Sequence, residues 1–248
     1  MRQGVLTRIR PVQEGFRLFL LHHAGGSPAN YRPWVRHFPA DWDVCLVGAP
    51  GRDAGTEPLR EARELARHLY EHIAPGTDRP HGLFGHSMGA LLAYEMALLA
   101  AERGAPGPDW LGVSAWSPAP GPEWDRPRHL LPSEQLCESV ARSGAPAGAL
   151  DDPDRWRRTE PLVRADLEVV DTWRPHPGTP PLRTPLSVLG GAADPGMPPE
   201  RMDAWHGYTE GPVLRHTFPG GHFYFMGRVG EVVAHVTADV AAALGTAR

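Results

Sequence analysis

Short, almost entirely apolar runs alternate with helical patterns along most of this sequence. Six runs predict strands, at residues 16–21, 44–47, 82–84, 110–116, 186–189 and 213–218. Between them, apolar residues spaced three and four apart predict helices at 31–38, at 62–73, from 88 up to Gly104, and at 229–240. Apolar strands must be covered on both faces, and helices between successive strands supply that cover. The pattern therefore predicts an α/β fold with a mostly parallel central sheet flanked by helices.

A stretch from about residue 117 to residue 183 interrupts this alternation. It contains many prolines and helical patterns at 130–143 and 154–174, without a convincing strand. We interpret it as a helical lid inserted between two strands of one sheet, so that residues 1–248 form a single domain. A chain of 248 residues is long enough to bury a core of that size.

Charge and cysteine content argue against several classes of function. The formal net charge is -4, so no overall basic field points to nucleic acid. Cys45 and Cys137 are far apart and form no Cys/His cluster, which argues against a structural zinc site. No apolar run is long enough to cross a bilayer, and no signal peptide is evident. We expect a cytoplasmic protein without a metal, a membrane partner or a nucleic-acid partner.

Residues 85–89 read GHSMG and stand between a predicted strand and a predicted buried helix. They match the G-x-S-x-G nucleophile elbow, in which a sharp turn holds the serine in a strained backbone conformation. The glycines leave room for neighbouring elements, and the helix start directs free N–H groups at the serine oxygen. Such a match also occurs by chance in small-residue loops, but this placement predicts Ser87 as a catalytic nucleophile.

A serine nucleophile needs a base and an acid that orients the base. In elbow enzymes both follow the serine, the acid first. Asp194 comes just after a predicted strand, where open α/β sheets form active sites, although Asp-Pro is also a common turn. His222 follows the last strand between glycine and phenylalanine. We predict Asp194 and His222 as the partners of Ser87, with Asp125 as a distant alternative acid and His86 in a supporting role.

Two backbone N–H groups are expected to bind the oxyanion. One belongs to Met88, directly after the nucleophile, and the other to the loop after the first predicted strand, where we assign Ala24. Gly25 and Gly26 keep that loop slim enough to approach a substrate carbonyl, although the same pair also suits a simple turn.

Five segments together resemble the stand-alone type II thioesterases that accompany polyketide synthases and nonribosomal peptide synthetases. They read HAGGS at 23–27, PGR at 50–52, GHSMG at 85–89, RAD at 164–166 and GGHF at 220–223. The resemblance covers nearly the whole chain in order and spacing, with His22 where the family usually has proline. It implies an α/β-hydrolase fold with a helical lid. It also implies the same functional residues: Ser87, Asp194, His222, Ala24 and Met88.

The resemblance implies hydrolysis of acyl thioesters on the phosphopantetheine arm of an acyl or peptidyl carrier protein. Removal of stalled or mis-primed acyl groups would then restart the assembly line. No cofactor of the chain's own is expected, and we expect a monomer. The residues leave three alternatives open: a carboxylesterase or lipase, an acyltransferase or cyclase with the same triad, and a non-catalytic scaffold.

Apolar and basic residues of the predicted lid suggest a pocket and a docking face. Val163, Leu167 and Val170 are expected to roof the acyl pocket, although the same side chains also suit a cover for the sheet. Further candidate pocket walls are His23, Trp116 and Phe223. Arginines that would face an acidic carrier protein, or else form a solvated helix face, are Arg126, Arg128, Arg155, Arg157 and Arg158.

Overall fold

Seven strands form one sheet in the computed structural model, which describes residues 5–53, 55–144, 150 and 152–246. They are β1 (Leu6–Arg10), β2 (Arg17–Leu21), β3 (Asp43–Val47), β4 (His81–His86), β5 (Trp110–Ser114), β6 (Leu186–Gly191) and β7 (Val213–Phe218). Their order is β1-β3-β2-β4-β5-β6-β7, and β1 is antiparallel to β3. The other neighbouring pairs are parallel, which confirms the predicted sheet and gathers the carboxyl ends of six strands at one edge.

β1 is the strand that the sequence pattern did not predict. It pairs only with β3, at the edge of the sheet, and its side chains are partly buried or exposed. An edge strand with this exposure needs no apolar run, so the signal that identified the central strands is missing. Arg8 of β1 donates to the buried carboxylate of Asp43 at 2.6 Å.

The helices cover both faces of the sheet. They are α1 (Ala62–Ile73), α2 (Met88–Glu102), α3 (Pro122–Asp125), α4 (Ser133–Arg142), α5 (Pro153–Thr172), α6 (Pro199–Met202) and α7 (Val229–Thr246). In β2, Phe19 and Leu21 pack on the core beneath α1 and α2, whereas Leu18 and Leu20 pack on the core beneath α7. This alternation explains why the strand is apolar at every position.

Four segments of the described residues are 3₁₀ helices: Pro28–His37, Ala74–Gly76, Arg128–Leu130 and Asp203–Gly207. The first of these replaces the helix predicted at 31–38. Pro33 lies inside it and has no N–H to donate to a carbonyl four residues earlier, which disfavours a regular α-helix. The apolar side chains are nevertheless buried as the spacing predicts, including Tyr31 and Trp34.

The segment between β5 and β6 contains α3, the 3₁₀ turn Arg128–Leu130, α4 and α5. Residues 145–149 and 151 of the predicted lid lie outside the described residues. The side chain of Asp152 accepts from the N–H of Asp154 at 2.9 Å and so caps the start of α5. The apolar face of this helix packs on two different groups of residues. Val163 and Leu167 pack on α4, whereas Val170 belongs to the core beneath α1 and α2.

Candidate active site

Ser87 lies at the sharp turn between β4 and α2, with φ 55° and ψ -119°. Few side-chain-bearing residues adopt a positive φ, and such strain is usual at functional sites. A Cβ atom on Gly85 would lie 1.9 Å from the carbonyl oxygen of Gly89, and one on Gly89 would lie 2.1 Å from that of Leu21. Both positions therefore require glycine, because the strand and the helix touch through their backbones.

Asp194 and His222 form a hydrogen-bonded pair at the same edge of the sheet. Asp194 follows β6, His222 follows β7, and Nδ1 of the imidazole donates to Oδ2 of the carboxylate at 2.7 Å. The N–H groups of Gly196 and Met197 donate to the other carboxylate oxygen at 3.0 and 3.1 Å. Because Nδ1 carries this proton in a neutral ring, Nε2 is left free to accept one.

The environment of Asp194 favours its charged form. Burial acts to raise the pKa of this carboxyl, but the hydrogen bond and charge of His222 and the two backbone donors outweigh it. They hold the pKa of Asp194 below its ordinary value. The alternative acid Asp125 is exposed at the end of α3, whereas the carboxylate that contacts His222 is that of Asp194.

His86, the last residue of β4, connects the elbow to the loop that carries His222. Its ring centroid lies 4.9 Å from that of His222, so the two loops meet beside Ser87. Its Nδ1 hydrogen-bonds the hydroxyl of Ser114 at 2.8 Å, which in turn hydrogen-bonds the hydroxyl of Tyr224 at 2.8 Å. Burial, and then the proximity of His222 and His23, lower the pKa of His86 well below its ordinary value.

Sequence reasoning did not identify Ser114 or Tyr224 as supporting residues. Ser114 is the one hydroxyl residue within the apolar strand β5, and Tyr224 lies two positions after His222. A polar residue at a buried strand position was the available signal, because such a group requires a hydrogen-bond partner.

His22 anchors the loop of residues 22–27 to the neighbouring strand end. Its Nε2 accepts from the N–H of Ala49 at 3.1 Å, and its Nδ1 donates to the carbonyl of His23 at 2.9 Å. Burial lowers the pKa of His22 well below its ordinary value and so favours this neutral form. A Cβ on Gly89 would lie 2.9 Å from the carbonyl oxygen of His22, so the loop starts against the first turn of α2.

The N–H groups of Ala24 and Met88 have no hydrogen-bond partner among the described residues. Met88 is the first residue of α2, where N–H groups have no partner within the helix. In contrast, the N–H of Gly26 donates to a carbonyl at 3.0 Å and that of Gly25 donates to a carboxylate at 2.7 Å. Ala24 and Met88 therefore each keep an N–H group that is available to an oxyanion.

The predicted pocket residues fall into two groups. His23 and Phe223 contact each other edge to face, with ring centroids 4.9 Å apart, and burial lowers the pKa of His23 to about 4. Val163 and Leu167 pack in a small cluster that Ala24 also contacts. The remaining two, Trp116 and Val170, belong to the larger core that contains Met88.

The arginines of the predicted docking face differ in their surroundings. Arg128 donates to the buried carboxylate of Asp171 at 2.8 and 3.1 Å, and so holds its segment against α5. Arg157 pairs with Asp154 on the same helix. Exposed side chains in this set are those of Arg126, Arg155, Arg157 and Arg158.

No helix in the described part of the chain has the length and apolar content needed to cross a membrane. Nor do three or more His, Cys, Asp and Glu side chains there form a group suited to a metal ion.

Comparisons with known proteins identify a family and several similar structures. A family model described as the thioesterase domain matches residues 16–240. The gramicidin S biosynthesis protein GrsT of Aneurinibacillus migulanus is 30% identical over 211 residues, covering 84% of this chain and 82% of that protein. The structure of the type II thioesterase BorB from the borrelidin biosynthetic cluster is 32% identical with a TM-score of 0.84, covering 97% and 99% of the two chains.

A third relative, YbtT, is a type II thioesterase from the yersiniabactin NRPS/PKS biosynthetic pathway. It is 27% identical with a TM-score of 0.85, covering 97% of this chain and 99% of that chain. These neighbours share the mostly parallel sheet flanked by helices, so the predicted α/β-hydrolase fold is confirmed.

Proposed function

This chain belongs to the thioesterase family, and we propose that its substrates are acyl thioesters on the phosphopantetheine arm of acyl or peptidyl carrier proteins. GrsT serves gramicidin S biosynthesis, and YbtT comes from an NRPS/PKS pathway. By analogy, the chain removes stalled or mis-primed acyl groups from such an assembly line. It needs no cofactor of its own in this role, because the partner's phosphopantetheine carries the substrate.

The proposed mechanism has two half-reactions at Ser87. In the first, the serine oxygen attacks the thioester carbonyl while Nε2 of His222 accepts the serine proton, and that proton then leaves with the thiol. In the second, His222 accepts a proton from water, which attacks the acyl carbonyl; the bond to the Ser87 oxygen then breaks, that oxygen receives the proton from His222, and the acid is released. Asp194 orients the imidazole and stabilises its charged form, and the N–H groups of Ala24 and Met88 bind the oxyanion.

The observation that carries this proposal is the pair formed by Asp194 and His222. A 2.7 Å hydrogen bond joins them at the sheet edge where the strained Ser87 stands. The three residues follow three different strands, β4, β6 and β7, and a parallel sheet gathers the carboxyl ends of its strands at one edge. A non-catalytic scaffold would have no need for the strained serine and the oriented imidazole together.

Two alternatives use the same triad and differ in substrate or acceptor. A carboxylesterase or lipase would act on oxygen esters, and an acyltransferase or cyclase would pass the acyl group to an alcohol or amine. The sequence identity of 32% to BorB and 27% to YbtT, each over 97% of this chain, favours hydrolysis of a thioester.

The deciding experiment compares an acyl group on a carrier protein with the p-nitrophenyl ester of the same acid. We expect faster hydrolysis of the carrier-bound thioester, with the free acid as product by mass spectrometry. Ser87→Ala should reduce turnover by several orders of magnitude, leaving on the order of 10³–10⁴ over water. Near-normal turnover by this variant, preference for the oxygen ester, or transfer to another acceptor would overturn the proposal.

A further inference from the structure

A single carboxylate joins the longest lid helix to the loop of residues 22–27. Oδ2 of Asp166, on α5, accepts the N–H of Gly25 at 2.7 Å. The same oxygen accepts from Nη2 of Arg52, on the loop after β3. The exposed fractions of the two side chains are 1% for Asp166 and 9% for Arg52, so the contact is shielded from water.

Arg52 binds a second point of the same loop. Its Nε donates to the carbonyl oxygen of Gly26 at 3.1 Å, and its Nη1 donates to that of Pro50 at 2.9 Å. One guanidinium therefore connects the loop after β3, the loop of residues 22–27 and the lid helix. Lysine, with a single ammonium, would keep the charge but lose this set of directed bonds.

The peptide group between Ala24 and Gly25 is held at both ends. Its N–H donates to Asp166, and its carbonyl oxygen accepts from Nδ1 of His23 at 2.9 Å. The lid helix also touches this point through Val163, because a Cβ on Gly25 would lie 2.9 Å from its Cγ2 atom. A peptide group fixed in this way limits rotation about the backbone of Ala24, whose own N–H is unpaired.

A contribution to the free energy of unfolding does not by itself explain why Asp166 and Arg52 are buried as an ion pair. Oδ1 of Asp166 is buried and has no hydrogen-bond partner among the described residues, which is costly for a carboxylate. Burial raises the pKa of Asp166 although Arg52 and the N–H of Gly25 oppose the rise. Buried ion pairs often contribute no more stability than apolar residues of similar size. Such a cost is more readily explained where geometry matters for function.

We propose that Asp166 and Arg52 are positioning residues, which fix the loop so that Ala24 presents its N–H to the thioester oxygen. This inference rests on the proposed function. Because Asp166 belongs to α5, displacement of that helix would break the bond to Gly25 and disturb the donor. Hydrolysis then depends on α5 keeping the position in which Asp166 reaches Gly25.

The test uses Asp166→Asn and Arg52→Lys, with Glu168→Gln as the matched control. Glu168 also lies on α5 and accepts from Arg60 at 2.7 Å, but this pair does not touch the loop. We expect kcat on both a p-nitrophenyl ester and a carrier-bound thioester to fall about 10- to 100-fold in each test variant. KM should change less than about twofold, and the control should match the wild type.

A trifluoromethyl ketone separates positioning from general stability, since Ser87 adds to its carbonyl and forms an oxyanion at the same donors. We expect its inhibition constant to rise in proportion to the loss of kcat. An unchanged inhibition constant, or an equal loss in the Glu168→Gln control, would overturn the inference. If Asp166→Asn does not fold, Arg52→Lys tests the inference, since the same loss of kcat and the same rise of the inhibition constant are expected for it.

The two substrates also distinguish this inference from the proposed function. If the wild type hydrolyses only the p-nitrophenyl ester and the test variants lose that activity, the substrate assignment is wrong and the positioning role stands. If the wild type hydrolyses the carrier-bound thioester and the variants are unaffected, the positioning role is wrong and the substrate assignment stands.

Discussion

The imidazole rings of His86 and His222 pack against each other with centroids 4.9 Å apart and planes at 53°. The residue directly before the proposed nucleophile thus touches the proposed base. Behind it, the hydroxyls of Ser114 and Tyr224 continue the contact through two hydrogen bonds of 2.8 Å. Since Tyr224 lies two residues after His222, these hydrogen bonds connect His86 to the loop that carries the proposed base.

Removal of the Tyr224 hydroxyl should loosen that loop. Tyr224→Phe deletes one buried hydrogen bond, so we expect the free energy of unfolding to fall by about 1 kcal/mol and kcat to fall severalfold. Urea unfolding and steady-state kinetics measure both. Tyr208→Phe is the control, because its hydroxyl makes only a 3.4 Å contact to the carbonyl of Pro118. Equal kinetics for the two variants would contradict a role for Tyr224 at the site.

Loss of the charge on Asp194 should remove most of the activity while leaving the fold intact. In Asp194→Asn the amide no longer fixes the imidazole proton on Nδ1 of His222, so we expect kcat to fall by about 10³- to 10⁴-fold. Asp203→Asn removes a surface pair with Arg215 and should leave kcat unchanged. Both variants should give the wild-type circular dichroism spectrum, and a loss of less than tenfold would argue against Asp194 as the orienting acid.

Three histidines near the elbow, His22, His23 and His86, make the protein sensitive to mild acid. Burial lowers the pKa of His22 and His86 well below the ordinary value and that of His23 to about 4. The unfolded chain therefore binds protons below about pH 6.5 that the folded chain does not. The free energy of unfolding should be highest above that pH and fall as pH decreases, by up to about 4 kcal/mol per pH unit for three protons.

Urea unfolding at pH 7, 6 and 5 measures this slope. His86→Gln removes one of the protons that the unfolded chain binds and the folded chain does not. The slope should therefore decrease by about 1.4 kcal/mol per pH unit. The exposed His206 provides the control variant His206→Gln, for which we expect the wild-type slope. An identical slope in wild type and His86→Gln would rule out the buried ring as a source of acid sensitivity.

The elbow should not tolerate a methyl group at either glycine. In Gly85→Ala the new Cβ would lie 1.9 Å from a backbone oxygen, so β4 and α2 must separate. We expect a loss of more than about 4 kcal/mol in the free energy of unfolding, or no folded protein. Gly107→Ala, where no atom lies within 4 Å of the added Cβ, should stay within about 0.5 kcal/mol of the wild type. Thermal unfolding of the two purified variants is the measurement.

Arg128 should support the lid rather than select the substrate. Arg128→Ala leaves the buried carboxylate of Asp171 with fewer donors, so we expect a lower unfolding temperature. Hydrolysis of a carrier-bound thioester and of a free thioester with the same acyl group should fall by the same factor. A loss confined to the carrier-bound substrate would instead indicate that Arg128 contacts the carrier protein.

Local patterns were sufficient for most of the sheet and for the elbow. The apolar runs of the five strands β2 to β6 reflect burial on both faces, and Gly85 and Gly89 reflect backbone contacts next to Ser87. The same reasoning missed β1, because this edge strand is only partly buried and has no apolar run. It also predicted an ordinary helix where a 3₁₀ helix forms, because the spacing of apolar residues does not reveal the effect of Pro33 on the backbone.

The sequence by itself determined which strand ends carry the proposed nucleophile, acid and base, since residue type and the alternation of elements specify those positions. Only the tertiary structure decided what surrounds them. Asp166 binds Gly25 across 141 residues and Arg52 across 114, and no local pattern links such partners. Their contact depends on where α5 packs against α1 and α2, which is set by the packing of whole helices rather than by the spacing of any one segment.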